Sequence, residues 1–133
     1  MKNILKESSY SIKKAVKLLS ENKLVSLKTE TVYGLACDPS SIKSIKKLYD
    51  LKKRPFVNPL IIHVSSLQML NSICHTNELT KKIVDHFWPG PLTLILPRKK
   101  NKKILDSAVS GLNTVAVRMP KSLVFQSVLK KFG

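Results

Sequence analysis

The sequence predicts a single α/β domain. Its 133 residues fit one hydrophobic core, because independently folding domains usually contain about 100–150 residues. Hydrophobic residues make up 43% of the chain, with four glycines and seven prolines, which is typical of a globular protein rather than a disordered one. Helical patterns alternate with short apolar runs along the chain, and this alternation predicts helices packed on a sheet.

The first part of the chain predicts a helix, a strand, a turn and a second helix. Apolar residues recur at helical spacing over 11–22, behind a serine that can cap the helix. A short apolar run at 24–27 predicts a strand, and the polar stretch 28–34 predicts a tight turn in which Gly34 adopts a positive φ. Apolar residues at helical spacing predict a second amphipathic helix over 41–52. The helix is expected to end there because a proline soon follows.

The rest of the chain continues the alternation. The continuous apolar run 60–64 predicts a strand that is buried on both faces. The Trp88-Pro89-Gly90-Pro91 sequence predicts a rigid corner, and the lysine-rich segment 99–103 predicts a solvated loop. Further helices are predicted at 66–74, 78–87 and 123–132, and further strands at 92–96 and 114–119.

The charge balance favours a phosphate-rich partner. The chain has 24 lysines and arginines against 8 acidic residues, a net charge of +16, which attracts nucleotides or RNA. Nearly all of the cations are lysine, a skew that is equally typical of compositional bias, so composition alone leaves both interpretations open. The three arginines, Arg54, Arg98 and Arg118, stand out because lysine does not provide a planar, forked set of donors.

The sequence also predicts a cytoplasmic protein without a membrane partner. No run approaches the roughly 18–20 apolar residues of a membrane span, and charged residues interrupt the N-terminal segment before a signal peptide could form. Cys37 and Cys74 have neither metal-binding nor disulfide-framework spacing, which predicts reduced cysteines in the core.

Two positions predict anion binding from residue chemistry. Lys52, Lys53 and Arg54 lie where a helix pattern ends and Pro55 forces an extended path, so their side chains can converge on one anion. The alternative is a basic helix end that complements the helix dipole. Arg118 interrupts an apolar strand pattern, where a buried charge is costly without an anionic partner such as a bound carboxylate.

Four motifs occur in order along the chain, and together they resemble the YrdC-like threonylcarbamoyl-AMP synthase family. They are Thr29-Glu30-Thr31-Val32-Tyr33-Gly34-Leu35; Lys52-Lys53-Arg54-Pro55 with Asn58-Pro59-Leu60-Ile61-Ile62-His63-Val64; Phe87-Trp88-Pro89-Gly90-Pro91-Leu92-Thr93; and Val115-Ala116-Val117-Arg118-Met119-Pro120. The resemblance implies a twisted open mixed sheet flanked by helices, formed by one domain over 1–133 that lacks the family's C-terminal part.

The resemblance also implies an activity. L-threonine, bicarbonate and ATP would become L-threonylcarbamoyl-AMP and pyrophosphate, which is nucleotidyltransferase chemistry. Downstream tRNA threonylcarbamoyl-transferase proteins would then use the adenylate to form threonylcarbamoyladenosine in tRNA. Mg²⁺ would arrive with the nucleotide. Glu30, Asp38 and Asp50 are carboxylates that can contact it, but no carboxylate pair has a spacing that identifies a metal site, so no protein ligand is predicted.

Site residues follow from the resemblance position by position. It implies Lys52 and Arg54 as catalytic residues; Lys52, Arg54, Asn58 and Thr114 as ATP contacts; and Thr31, His63 and Arg118 as L-threonine contacts. Lys53 stands where the family often has glycine, and no role is assigned to it. Each of the neutral residues also has a purely structural alternative: a cap hydroxyl, a buried histidine or an ordinary β-branched strand residue.

Family members continue beyond the Val-Arg-Met-Pro motif and carry a Ser-x-Asn motif that completes the site. The resemblance therefore implies that residues 1–133 alone bind ATP weakly and make little adenylate. The alternative function is a non-catalytic module of the same fold that binds double-stranded RNA or tRNA, with the lysines of 99–103 on phosphates. The related carbamoyl-transfer domain of hydrogenase maturation proteins is a further alternative, disfavoured because it is embedded in much longer chains.

Overall fold

A computed structural model describes residues 5–29, 33–55, 57–100 and 104–133. Five helices lie in these ranges: α1 (Ser9–Ser20), α2 (Ile42–Lys52), α3 (Leu67–Ile73), α4 (Glu78–Phe87) and α5 (Leu123–Phe132). The strands are β1 (Val25–Lys28), β2 (Tyr33–Ala36), β3 (Ile61–His63), β4 (Leu94–Pro97) and β5 (Thr114–Arg118), and a short 3-10 helix spans Asp106–Val109. The predicted α/β class is confirmed. No helix in the described part of the chain is long and apolar enough to cross a membrane.

The five strands in the described ranges form two separate sheets. β1 and β2 pair as an antiparallel hairpin, and the other three form a mixed sheet in the order β3-β5-β4. β3 runs parallel to β5, with Ile61 opposite Ala116 and His63 opposite Arg118. Because partners in register point to the same face of a sheet, the side chains of His63 and Arg118 lie side by side at the ends of the two strands.

The mixed sheet is buried on one face only. Its buried residues belong to the main hydrophobic cluster, together with side chains from α2, α3 and α4; they include Ile45, Tyr49, Ile62, Val64, Leu70, Ile73, Val84, Val115 and Val117. The alternate residues point to the other face, where Ile61 is 45% exposed. The prediction that 60–64 is buried on both faces is therefore wrong, because the helices of this cluster cover one side and a cavity opens on the other.

A second, smaller cluster joins the two ends of the chain. It is formed by α1, β1 and α5 and contains Ala15, Leu19, Leu27, Phe125 and Val128. Together the two clusters account for the apolar periodicity of every long helix in the sequence. The space between them becomes the cavity described below.

The predicted turn at 28–34 is wrong in extent. β1 continues to Lys28 and β2 begins at Tyr33, with these two residues paired, so both ends of the predicted turn are strand residues instead. Gly34 lies inside β2 without a positive φ, and a Cβ added there would meet no atom within 4 Å. Pairing with β1 imposes the extended conformation on this segment, and that long-range effect overrides its turn-like composition.

Side-chain caps define the helix starts. α1 begins two residues before the predicted position, because Ser8 forms a capping box with Ser11. At each of the other helices the N-cap side chain accepts a hydrogen bond from a backbone N–H in the first turn; these caps are Ser41, Ser66, Asn77 and Ser122. The bounds predicted for α4 and α5 are confirmed.

The end of α2 predicts a stabilising substitution. Lys53 adopts the left-handed conformation, with φ 51° and ψ 39°. This strains a residue that carries a Cβ, whereas glycine adopts the same conformation without strain. We expect Lys53→Gly to raise the free energy of unfolding by about 0.5–1 kcal/mol in urea denaturation. Lys46→Gly, at an exposed position within α2, is the matched control and should cost about 1 kcal/mol. A loss of stability in Lys53→Gly would contradict the expected relief of strain.

Candidate functional site

A cavity of about 820 Å³ lies between the open face of the mixed sheet and the cluster of α1, β1 and α5. Its charged side chains and its histidine come from four separate segments; they are Asp38, Lys52, Arg54, His63 and Arg118. Apolar side chains line the remainder, among them Leu19, Leu27, Leu48, Phe125 and Phe132. Three permanent cations and one carboxylate make the described lining positive, so the cavity suits an anionic ligand.

Lys52 and Arg54 reach the cavity from the end of α2. The Arg54 side chain is fixed by the chain that follows it, since Nε donates to the Asn58 carbonyl at 3.3 Å and Nη2 to the Pro59 carbonyl at 2.8 Å. The Tyr49 hydroxyl donates to the same Asn58 carbonyl at 2.6 Å. Nη1 of Arg54 has no hydrogen-bond partner among the described residues. The guanidinium is thus held rigidly, with donors left for a ligand.

His63 and Arg118 form the other polar part of the cavity. Both are half-buried and adjacent in register. Nε of Arg118 donates to the Gly90 carbonyl at 3.3 Å, and the Gly90 N–H donates to the Met119 carbonyl at 3.0 Å. The imidazole of His63 stacks on the Phe125 ring, with centroids 4.6 Å apart and planes inclined by 25°. Each of the two side chains is therefore oriented by a neighbour from outside its own strand.

The Trp88-Pro89-Gly90-Pro91 segment is a structural corner, as predicted. The indole N–H of Trp88 donates to the Leu92 carbonyl at 2.8 Å, which closes the corner on itself. The Trp88–Pro89 peptide bond is cis. A Cβ on Gly90 would lie 2.8 Å from the Phe87 carbonyl oxygen, so only glycine fits. Because Gly90 also contacts Arg118 and Met119, this corner supports the end of β5 beside the cavity.

Two further predicted site residues, Asn58 and Thr114, are not brought into this lining. Asn58 is exposed and contributes its backbone carbonyl to the Arg54 contact described above. Thr114 begins β5, opposite Pro97, and lies about 13 Å along the strand from Arg118. Neither is among the described residues that line the cavity. Thr31, predicted to contact threonine, and Glu30 lie outside the described residues.

Asp38 is a cavity residue to which sequence analysis gave no firm role. Its Oδ1 accepts hydrogen bonds from the backbone N–H of Ser40 at 2.9 Å and from the Ser40 hydroxyl at 2.7 Å. Asp50 is exposed on α2, away from the lining. Within the described ranges, no three His, Cys, Asp or Glu side chains form a group that could hold a metal ion.

Both cysteines are unsuited to nucleophilic chemistry. Burial, with a smaller contribution from Asp38, raises the pKa of the Cys37 thiol to about 11, and burial raises that of Cys74 to about 11 as well. A thiol with this pKa stays protonated at neutral pH, and the thiolate is the reactive form. Cys74 lies in the main core as predicted, whereas Cys37 is half-buried in the cavity wall.

Arg98 has a structural role outside the cavity. Its Nη1 forms a 2.7 Å ion pair with Asp106, and Nη2 donates to the Ile104 carbonyl at 2.7 Å. These contacts close the base of the lysine-rich loop. Lys99 is partly exposed and its Nζ donates to the Asn71 carbonyl at 2.7 Å, whereas Lys100 is exposed, as predicted for a solvated loop. The rest of that loop, 101–103, lies outside the described residues.

The arginines use their forked geometry, as the sequence predicted. Arg54 and Arg98 each hold two acceptors at once. A lysine could not reproduce either arrangement, because a single ammonium group presents its donors from one point.

A comparison with protein families identifies the chain's relatives. The sequence model of the Sua5/YciO/YrdC family, described as Telomere recombination, matches residues 17–133. The chain belongs to this family. The resemblance inferred from the four motifs is thereby confirmed.

Curated relatives carry a consistent name. The threonylcarbamoyl-AMP synthase of Bacillus subtilis is 39% identical over 123 residues, which cover 92% of this chain and 35% of the relative. The protein of the same name from Buchnera aphidicola subsp. Schizaphis graminum is 31% identical and matches 92% of this chain and 65% of its own length. The chain thus spans about a third of the longer relative and about two thirds of the shorter one.

A solved structure supports the fold. Pyrococcus abyssi Sua5, determined in complex with L-threonine, superposes with a TM-score of 0.87 at 35% identity. The match covers 95% of this chain and 37% of the P. abyssi chain. The mixed sheet and its helices therefore belong to a fold that also occurs in a protein solved with L-threonine.

Proposed function

We propose that this protein is a threonylcarbamoyl-AMP synthase that acts on L-threonine, bicarbonate and ATP. The observation that carries the proposal is the cavity, in which His63 and Arg118 are paired across two strands while Lys52 and Arg54 enter from the end of α2. Relatives named threonylcarbamoyl-AMP synthase support this function. None of the described contacts favours the non-catalytic RNA-binding alternative.

Lys52 and Arg54 would act on the triphosphate. Forming an adenylate transfers negative charge onto departing pyrophosphate, so catalysis depends mainly on positioning and on fixed cations near the leaving group. Arg54 is suited to this role because its orientation is already set by the carbonyls of Asn58 and Pro59. Asn58 would contribute to ATP binding through this contact, and direct ATP contacts by the side chains of Asn58 and Thr114 remain predictions.

His63 and Arg118 would hold L-threonine, together with Thr31. A guanidinium is suited to a carboxylate, which it can bind through two parallel hydrogen bonds. The histidine can donate or accept at the amine or hydroxyl of the same ligand. Both lie on the open face of the sheet, and a ligand bound to them would lie in the same cavity that Lys52 and Arg54 line.

Mg²⁺ would enter this site with ATP. Mg²⁺ usually keeps several waters and takes phosphate oxygens from its nucleotide, so one carboxylate in the described lining is sufficient. Asp38 would be that carboxylate, held in place by Ser40. The product adenylate would pass to a tRNA threonylcarbamoyl-transferase, the class of enzyme that consumes it.

Pyrophosphate release tests this function. Pyrophosphate should be released from ATP only when L-threonine and bicarbonate are both present, and mass spectrometry should detect threonylcarbamoyl-AMP. We expect little release from residues 1–133 alone and more once the C-terminal segment of a close relative is appended. L-valine, which replaces the hydroxyl by a methyl group, is the matched substrate control. Release that is indifferent to threonine, or strong binding of tRNA without adenylate formation, would contradict the proposed function.

Neighbouring lysines provide a paired test of the phosphate contact. Lys52 lines the cavity, whereas Lys53 is not among its described lining residues. We expect Lys52→Ala to weaken ATP binding by about tenfold or more, since it removes a charge-assisted contact. Lys53→Gly removes the same charge without strain and should change the affinity less than about twofold, because this charge lies outside the described lining and acts on the ligand only through solvent. Equal effects in calorimetric titrations would mean that only the general positive field matters.

A further inference from the structure

The only aromatic contact described for a candidate site residue joins the sheet to α5. The His63 imidazole and the Phe125 ring are nearly parallel, with centroids 4.6 Å apart. Both residues line the cavity, and Arg118 is the strand neighbour of His63 on the same face. One face of the imidazole is thus covered by the phenyl ring of Phe125, beside the polar part of the cavity that His63 and Arg118 form.

Phe125 is itself held firmly. Only 5% of it is exposed, and it belongs to the second cluster with residues of α1 and β1. Its backbone N–H donates to the Ser122 N-cap hydroxyl at 3.4 Å, and the Gln126 side chain donates to the Pro120 carbonyl at 2.7 Å. The first turn of α5 is therefore anchored to the chain that leaves β5, so the ring cannot move independently of the cavity wall.

We propose that Phe125 is a positioning residue that fixes the plane of the His63 imidazole, so that the histidine meets its ligand with the edge of the ring. The rotation of an imidazole about its second side-chain torsion is broad and weakly restricted by its own covalent geometry. An offset stacked partner restricts it, because parallel rings contact each other over their faces.

This orientation has a chemical consequence. With one face against Phe125, the imidazole plane of His63 is nearly parallel to the phenyl ring. Its ring nitrogens can therefore contact a ligand only through hydrogen bonds at the edge of the imidazole. Stacking of His63 on a flat ligand such as a nucleobase is disfavoured on the covered face. The inference rests on the proposed function for the identity of the ligand, L-threonine, and on ring geometry alone for the position of the imidazole.

The first measurement is independent of any substrate. Protons above the face of an aromatic ring are shielded, so Phe125→Leu should move the ring proton signals of His63 downfield in a ¹H–¹³C spectrum. The other two histidines, His75 and His86, are internal references, because His75 is exposed and His86 contacts Phe87 instead. Phe125→Tyr retains the ring and should leave the His63 signals close to their wild-type positions.

Phe132→Leu is the matched control. Phe132 lies on the same helix, packs against the same cluster and lines the same cavity, but no ring contact with His63 is described for it. The two leucine variants therefore share the loss of a ring that packs against the second cluster, and they differ in the contact with His63. Thermal unfolding of each variant shows whether it is folded before its spectrum is interpreted.

The second measurement links the ring to the ligand. In calorimetric titrations, Phe125→Leu should weaken L-threonine binding about two- to tenfold, the range expected for loss of an aromatic pair. ATP affinity should change less than about twofold, and Phe132→Leu should leave both affinities within that limit.

Each result has a definite meaning. Shifted His63 signals with weaker threonine binding support the inference, whereas unshifted signals in Phe125→Leu overturn it. Shifted His63 signals with unchanged threonine affinity in Phe125→Leu also overturn the inference, because threonine binding would then not depend on the stacked ring. If the wild-type protein binds no L-threonine, the proposed function fails, and unshifted His63 signals still overturn the inference, because they would show that the two rings are not in contact.

Discussion

Arg118→Lys is expected to abolish most binding of L-threonine while the protein stays folded. Arg118 is half-buried, lies beside His63 and donates to the Gly90 carbonyl through Nε. A guanidinium has five N–H donors, so it can hold this carbonyl and still present a fork to a carboxylate, whereas lysine keeps only the charge. Loss of one charge-assisted contact costs about 1.5–3 kcal/mol, so threonine affinity should fall about 10- to 150-fold in calorimetric titration.

Arg98→Lys is the matched control for this substitution. Arg98 makes the ion pair with Asp106 outside the cavity, so the variant should lose stability and keep its affinity for threonine. Wild-type threonine affinity in Arg118→Lys would place the ligand's carboxylate elsewhere and would remove the main support for the role given to this strand end. Equal losses in the two arginine variants would indicate a general effect on folding.

Local patterns in the sequence were sufficient to predict most of the fold. The bounds of α4 and α5 were predicted correctly, because each combines a capping residue with an uninterrupted apolar stripe. The mixed sheet's strands were found within one to two residues as apolar runs. Caps, apolar stripes and apolar runs each depend on residues that are close together in the chain, so they can be recognised in the sequence alone.

Elements set by long-range contacts were missed. β2 contains Tyr33 and Gly34, which favour a turn by composition, and it becomes a strand only because β1 pairs with it. Nothing in the Asp106–Val109 segment has helical periodicity, and its short 3-10 helix is fixed by contacts with the loop around Arg98. The exposure of Ile61 similarly depends on which side of the sheet the helices cover.

The candidate site shows the same division. Chemistry and motif order were sufficient to select Lys52, Arg54, His63 and Arg118, and the fold brings these four into one cavity. The register that places His63 beside Arg118, and the ring of Phe125 on His63, join distant parts of the chain and leave no local signal. Asp38 could have been given more weight, since it is the acidic residue that immediately precedes the proline-serine entry to α2.

Gly90→Ala is expected to damage both stability and threonine binding. The added Cβ would lie 2.8 Å from the Phe87 carbonyl oxygen, a backbone atom that cannot move without disturbing the end of α4. Overpacking of this kind costs about 1–3 kcal/mol in urea denaturation. Any shift of the corner also moves the carbonyl that accepts from Arg118 and the N–H that donates to Met119, so L-threonine affinity of the folded protein should fall as well.

Gly34→Ala separates a specific clash from the general effect of adding a methyl group. Gly34 has an ordinary φ and no atom within 4 Å of an added Cβ, so its stability should change by less than about 0.5 kcal/mol or rise slightly. If Gly90→Ala is destabilised but binds threonine with wild-type affinity once folded, the corner supports only the fold. Arg118 would then take its position from β5 alone, and the 3.3 Å contact with the Gly90 carbonyl would have no part in ligand binding.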